Sequence, residues 1–598
     1  MHAGRVWPDR PGGGNGGAGG STRGRGQVPV SEGKRRSFIE VLFHGDPFER
    51  FVVAIITSVA VLAAVVTLLQ TDASARAGQA GRDAQRYAIQ AMGRRITGYV
   101  TVDYAWYAYQ VNEELDTEAL MAERADDAAA AARYRALRSR LSELTPFLAP
   151  PYYDPNGNAG PDLQHYEADT YLVAATGLAE RYAAAAALNN AWTAKSNAYV
   201  THLTLLAVSL FLFGLATTVP GWIRWLFVVV GLFITAMVVL WIGWVTVRPL
   251  PVLTERAIDA YAEGVGLAHR RDLEGAVAAY DRALAEAPHY ANAYYERANT
   301  RYDLADYEGA IADYRAAQVA GRDDVNVAWN LGWTYYLLGR FDEAIAASRH
   351  AVDLSPDQVG VRFNVALAYL AAGQIERAQI EYTDAMDVAT RQVAGVAEGG
   401  DKPPASLWTY MDAAVRDLEG LIAQLRGEPR AWTEAPPPDK VADPETVVAA
   451  AVEISRQLKS LTVALEYTGR PPGVTVTAKV SPLEFAKPTY DSDGNLLGRT
   501  IATAFPYGTD RVLALFDYDG MQDGQEVLWK LYFNGYEDPA WRLVEVWSLG
   551  KSGSAEKPFS LSYTNLYQFT PGEYKIELYV DNQFVQEGVF EIEADEAP

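Results

Sequence analysis

The chain contains no cysteine. That excludes disulfides, thiol nucleophiles and every cysteine-ligated metal site, and it suits a bacterial protein facing an oxidising exterior. Histidine is scarce, with seven in 598 residues. No two of them stand at a spacing such as H-E-x-x-H, which would bring two ring nitrogens onto one metal. The G-x-S-x-G elbow, the P-loop, the dinucleotide fingerprint and the kinase motif set are also missing. GKSGS at 550–554 has no following helix to receive a phosphate and reads as a loop. Cations are outnumbered, 52 Lys and Arg against 75 Asp and Glu, for a formal charge of −23. Such a chain repels nucleic acid. No enzyme, cofactor, metal ion or nucleic-acid partner is therefore expected, and no residue is assigned a catalytic role.

What is present is organised in blocks, in a chain too long for one core. Residues 1–50 form a basic tail whose first 33 residues are Gly-rich and nearly free of large aliphatics, so they bury too little to offset their ordering entropy and are expected to be disordered. A first transmembrane helix is expected at 51–70, FVVAIITSVAVLAAVVTLLQ, uncharged throughout. At about 1.5 Å per residue it matches a hydrocarbon layer of roughly 30 Å. A transmembrane hairpin follows at 199–247, with spans Leu203–Val219 and Trp225–Val247 joined by PGWIR. Tyr199, Trp222, Trp225, Trp241 and Trp244 lie toward the span ends, as interfacial aromatics do. Lys34, Arg35, Arg36 and Arg50 precede the first span and favour a cytoplasmic N-terminus. Arg248 and Arg256, against Arg224 alone in the hairpin turn, pull the other way. The first span usually dominates, so the reading is a multi-pass cell-membrane protein with 71–198 and everything after Val247 extracytoplasmic.

Residues 71–198 have helical periodicity and are broken by PPYYDPNG at 150–157, which implies a helical bundle leaving the membrane and returning to it. Its position suits a sensor, a stalk or an oligomerisation bundle. Arg94, Arg95 and Tyr104 to Tyr109 are pocket candidates, with helix-face packing as the simpler account.

From about 257 to 390 the chain repeats itself every 34 residues. Ala276, Ala310, Ala344 and Ala378 are equally spaced, as are Ala283, Ala317, Ala351 and Ala385. Tyr280, Tyr314, Ser348 and Tyr382 fall between them, and Pro288 and Pro356 close two units. Small residues let paired helices approach, and one unit cannot bury its apolar face alone, so units must stack into a solenoid. The pattern resembles the tetratricopeptide repeat (TPR) family, in four units. Arg322 and Thr390 stand where that family places proline, and Ala260 replaces a usual large residue. The resemblance implies a concave groove lined by the first helix of each unit. By position, the groove-facing residues are Tyr261, Tyr295, Asn299, Tyr302, Trp329, Asn330, Trp333, Tyr336, Phe363 and Asn364. Asn330 and Asn364 take the place from which such scaffolds hold a peptide backbone. Family grooves that clamp an acidic C-terminus use lysine or arginine; aromatics and amides here suit an apolar or proline-containing segment instead. The alternative for each aromatic is packing between repeats. The array, with a solvating cap helix at 406–427, covers 254–427.

A Pro-rich linker and short helix are expected at 428–460. Beyond it, at 461–598, hydrophobic alternation switches to period two, with strands such as DRVLALFDYDG and EVLWKLYFNG, a core aromatic at Trp529 and a tight hairpin at Asp581-Asn582-Gln583. This resembles an immunoglobulin-like β-sandwich. DSDGN (491–495) and DYDGMQDG (517–524) share alternating carboxylates with calcium loops, but lack Gly at the sixth position and Glu at the twelfth, and turn chemistry accounts for them.

The fold class is thus multidomain α + β: three transmembrane helices, a helical extracytoplasmic bundle, an α-solenoid of TPR repeats and a C-terminal all-β sandwich. The function expected is a non-catalytic membrane-anchored scaffold that binds a protein or peptide in the repeat groove. Alternatives are a membrane sensor or signal-transduction receptor using the 71–198 bundle, and a structural envelope protein. Homo-oligomerisation is a further reading of the bundle.

Overall fold

The computed structural model describes residues 46–154, 160–397, 403–430, 432–473, 476–490, 496–560 and 569–594. Nearly all of the expected tail, part of the 150–157 break and the DSDGN turn lie outside the described residues. The chain forms two units, one of Met1–Ala80 with Ala187–Leu250, the other of Gly81–Ala186 with Pro251–Pro598.

In the first unit, α1 (Pro47–Arg124), α3 (Leu163–Thr218) and α4 (Ile223–Val247) are each long and apolar enough to cross a membrane. They share a core that includes Val52, Val59, Val66, Leu206, Phe213, Val228 and Val238. Outside it, Val61, Leu68, Phe211, Phe233 and Leu240 are exposed, an apolar surface. Gly231 admits the Phe213 ring, which would lie 2.7 Å from an added Cβ. At one end of this unit Arg224 sits over Phe48 at 4.1 Å. At the other, Arg76 sits over Trp192 at 5.0 Å and the Lys195 ammonium donates to the carbonyls of Thr246 and Arg248 at 3.3 and 2.9 Å.

α1 continues to Arg124 because 71–124 contains no proline. α2 (Ala128–Leu144) follows, capped by Asp127 on the Ala130 amide, and α1, the turn Pro146–Leu148 and the start of α3 build a core of Val102, Phe147, Tyr166 and Tyr171. Arg94 and Arg95 stand exposed, as do Tyr104, Trp106 and Tyr107, so these side chains do not converge on a pocket.

The solenoid consists of four helical hairpins: α5 (Glu255–His269) with α6 (Leu273–Glu286), α7 (Ala291–Asp303) with α8 (Tyr307–Val319), α9 (Val325–Leu337) with α10 (Phe341–Leu354), and α11 (Val359–Ala371) with α12 (Ile375–Ala397). All eight repeat alanines from Ala276 to Ala385 are 0% exposed, which places the 34-residue period on the packing seam. Gly264 faces Tyr280, whose ring would lie 2.6 Å from an added Cβ, so a side chain here would have to displace that ring. The turns inside the four hairpins use left-handed backbone at Arg271, Ala305, Gly339 and Gly373, again 34 apart. Where Pro288 and Pro356 follow, α6 and α10 stop; where Thr390 replaces proline, α12 runs on to Ala397.

Two expectations are corrected here. Helix α13 (Ser406–Arg426) is not a solvating cap: Leu407, Met411, Leu418 and Leu421 join the solenoid core, and Glu419 is buried too. The short helix of the linker is α14 (Pro444–Thr468), 25 residues that pack Val447, Ala451, Ile454 and Leu458 into the same core. The β-region therefore begins after Thr468, not at 461.

That region has strands β1 (Lys479–Val480), β2 (Glu484–Tyr490), β3 (Leu496–Ile501), β4 (Ala504–Phe505), β5 (Arg511–Asp519), β6 (Glu526–Phe533), β7 (Tyr536–Glu537), β8 (Leu543–Val546), β9 (Gly553–Ser560), β10 (Gly572–Val580) and β11 (Gln583–Ile592). One sheet has the order β1-β5-β2-β3 with β9 on β5; the other has β4-β11-β10-β6-β7 with β8 on β6. Every pairing is antiparallel except β4 with β11. Phe485, Val512 and Phe516 of the first sheet and Trp529, Ile576 and Phe590 of the second share one core. Positive φ at Asp581 and Asn582 makes the tight β10–β11 turn. In the 517–524 segment Asp517, on β5, accepts from Ser554 Oγ directly opposite on β9, and Asp523 accepts from the Gly550 amide, so one carboxylate serves a cross-strand pair and the other a turn.

Candidate partner-binding groove

The first helices of the hairpins, α5, α7, α9 and α11, carry the predicted groove residues, and the structure distributes these among three environments. At the first hairpin, Tyr261 is buried against Tyr280 and Tyr290. Glu180 of α3 enters here, accepting from Tyr290 Oη at 2.8 Å and Asn292 Nδ2 at 3.0 Å. Burial raises the Glu180 and Glu296 carboxyls above their ordinary range despite nearby Arg322. Arg322 lies 3.7 Å from the Tyr295 ring centroid and donates to Asn292 and Asp324. It fills the place of the absent proline with a stacked guanidinium. Asn299 accepts from Tyr314 Oη and Asn330 Nδ2, so Tyr295, Asn299 and Asn330 are joined in one hydrogen-bonded row.

The second environment is held by the chain itself. The proline-bearing segment after α13 is not a free linker but a strap along the repeats. Glu434 accepts from Tyr302 Oη and from Trp333 Nε1, the latter at 3.1 Å, and Trp333 also donates to Tyr302 at 2.8 Å. Pro436 and Val441 are buried, and Lys440 and Ala442 lie against the turn glycines Gly339 and Gly373. An acidic side chain of the chain itself is thus held by a phenol–indole pair, one O–H and one N–H donor on the first helices of two hairpins.

Third, Trp329, Asn330, Trp333, Phe363 and Asn364 line a cavity of about 230 Å³. Its far wall comes from α13, with Tyr410 and Asp417. Trp329 and Tyr410 meet edge to face at 5.3 Å, and Trp333 stacks on buried Tyr336 at 5.0 Å. Gly360 floors the cavity, since a Cβ there would come within 2.6 Å of Trp329. Asn364 is 9% exposed and its Nδ2 has no hydrogen-bond partner among the described residues. Asp417 makes neither hydrogen bond nor ion pair among them. Burial pushes its carboxyl up to about 7, opposed by Arg416 and assisted by Glu434. Tyr410 and Asp417 were absent from the sequence-based set. The signal available was a carboxylate on the apolar stripe of α13, in line with Tyr410, Ala414 and Leu421.

A separate cluster of three carboxylates, Glu419, Glu577 and Glu587, is close enough to hold a metal ion. Two ammonium groups already occupy it. Lys459 donates to Glu419, Glu577 and Glu587 at 2.7, 3.0 and 2.6 Å, and Lys575 to Glu419 and Glu577 at 2.7 and 2.9 Å. Burial alone would lower the Lys459 ammonium, but the carboxylates outweigh it and hold it well above its ordinary value. The cluster joins α13 and α14 to β10 and β11, an architectural role.

Residues 261–325, 295–359 and 330–393 match the tetratricopeptide repeat model, so the chain carries TPR repeats, the type of helical array that mediates protein–protein interaction. Among solved structures, YrrB, titled "a TPR protein with an unusual peptide-binding site", is 22% identical over 27% of this chain and 84% of that one, with a TM-score of 0.21. MamA of Desulfovibrio magneticus RS-1 is 23% identical over 22% of this chain and 75% of that one, also at 0.21. A further MamA structure, AMB-1, is 26% identical over 22% and 70%, at 0.21. No curated protein matches the chain.

Proposed function

We propose that the protein is a non-catalytic, membrane-anchored interaction scaffold. Its repeats receive a peptide or protein partner at the outer face of a bacterial cytoplasmic membrane. The observation that carries the reading is the cavity between α9, α11 and α13, walled by aromatic rings and amides and holding an Asn364 amide without a partner among the described residues. Such rigid aromatic anchors are the side chains from which interface hot spots are built. Anchoring is supported by three long helices with exposed apolar surface, and sidedness by the Lys34–Arg36 and Arg50 bias before the first of them. We read the two-sheet region as an immunoglobulin-like module fixed to the repeats through the Lys459–Lys575 cluster, a second surface presented beside the groove.

The test is co-purification from membranes with the wild-type chain and with Trp329→Ala and Trp333→Ala. A partner recovered with the wild type and lost from both variants supports the groove. Equal recovery would make these rings packing residues and move the interaction elsewhere.

A further inference from the structure

We propose that the cavity between α9, α11 and α13 receives one cationic side chain, a lysine or arginine carried on an extended segment of the partner protein. The inference deepens the scaffold reading and rests on it.

The wall chemistry selects charge. Trp329, Trp333, Phe363 and Tyr410 surround the space, and the negative faces of aromatic rings attract ammonium and guanidinium groups. Asp417 adds a carboxylate without an ion-pair partner, and Glu434 stands on the neighbouring Trp333 indole. Among the described residues, no lysine or arginine lines the cavity. Arg416, next to Asp417 in sequence, lies instead over the Tyr536 ring at 5.0 Å. An anionic occupant would therefore meet two carboxylates and no cation. A neutral apolar occupant would strip water from Asp417 and return nothing. A cation both satisfies that carboxylate and faces the rings.

Size and the amides add to this. About 230 Å³ holds several waters at roughly 30 Å³ each, the scale of a side chain rather than of a whole peptide. Asn364 Nδ2, buried and unpartnered, is a donor for a backbone carbonyl beside the inserted residue. The main chain would then lie along the repeats as the strap does, with its cationic residue turned into the cavity. The chain's formal charge of −23 favours encounter with a basic segment.

The test uses the full chain in lipid nanodiscs and two dye-labelled peptides, acetyl-Ala-Pro-Lys-Pro-Ala-amide and the same peptide with norleucine for lysine, followed by fluorescence polarisation. The lysine peptide is expected to bind at least tenfold more tightly. In Asp417→Asn that gap is expected to shrink to within twofold, while the norleucine peptide binds the variant at least as well as it binds the wild type, which also shows the variant folded. Equal binding of both peptides to the wild type overturns the inference. A gap that survives Asp417→Asn also overturns it, since the general negative charge would then be the cause. If both peptides bind equally and Trp333→Ala abolishes both, the groove stands and only the cation preference falls. If neither binds, the inference falls, and co-purification decides the scaffold separately.

Discussion

The carboxyls of half-buried Asp417 and fully buried Glu577 titrate in opposite directions, because their neighbours differ. Among the described residues Asp417 has no ion-pair partner, and burial raises it to about 7; Asp412 is raised to about 6 for the same reason. Raised acids bind protons more tightly in the folded chain, so these two favour folding below the ordinary aspartate range and lose that contribution as pH climbs from about 4 toward 7. Asp417→Asn is therefore expected to melt higher than the wild type above pH 7, with the difference vanishing near pH 4. The same carboxyl is faced by Arg416, Glu434, Tyr336 and Tyr382. Affinity for the lysine peptide should rise as pH increases from 6 to 8, because the carboxylate appears over that window. Glu577 is opposite: burial disfavours its charge, but Lys459 and Lys575 prevail and hold it well below the ordinary range, as they hold Glu419 at about 2. Their contribution is present above the ordinary glutamate value and is lost as pH falls toward 2. Removing one partner strands the others, so Glu577→Gln should destabilise the chain by about 3–5 kcal/mol, read by denaturant unfolding at pH 7.

The strap is the element least like its sequence reading. Pro436, Pro437 and Pro438 make it stiff, which suggests a spacer. Yet Val441 inserts among the solenoid's apolar side chains and Glu434 finds two donors on the repeats. Val441 is the strap residue that enters the solenoid core, so Val441→Asp should release it. The expected outcome is trypsin cleavage after Lys440 more than tenfold faster than in the wild type, with the repeats intact on a gel. Unchanged cleavage would mean that the glutamate alone holds the strap. At the same scale, Gly360→Ala should displace Trp329 and weaken any groove ligand, because its Cβ has no free volume beneath the indole.

On the scale of the molecule, the absence of cysteine makes single-cysteine labelling a clean measure of sidedness. Ser552→Cys, on an exposed turn before β9, should react with a membrane-impermeant maleimide on intact cells, whereas Ser37→Cys should react only after lysis. The reverse pattern would place the repeats in the cytoplasm. The buried charge cluster also couples the sandwich to the solenoid. A chain truncated after Thr468 leaves Glu419 and Lys459 without Lys575 and Glu577, and its repeats should melt several degrees below those of the full chain.

The 34-residue period, the apolar runs and the switch to alternation were legible in the sequence because each is a local pattern that one element repeats along its own length. Ala276 through Ala385 announced the packing seam, and Trp329, Asn330, Trp333, Phe363 and Asn364 announced half of the cavity. The other half was decided only in three dimensions. Tyr410 and Asp417 come from a helix that the period does not reach, and Glu434 comes from a segment whose composition describes a spacer. Glu419, Lys459, Lys575 and Glu577 look in sequence like solvated charge. They meet because α13 and α14 pack their charged positions against β10, more than one hundred residues further along the chain. Periodicity reports which face of an element is buried; it carries no record of what that face is buried against.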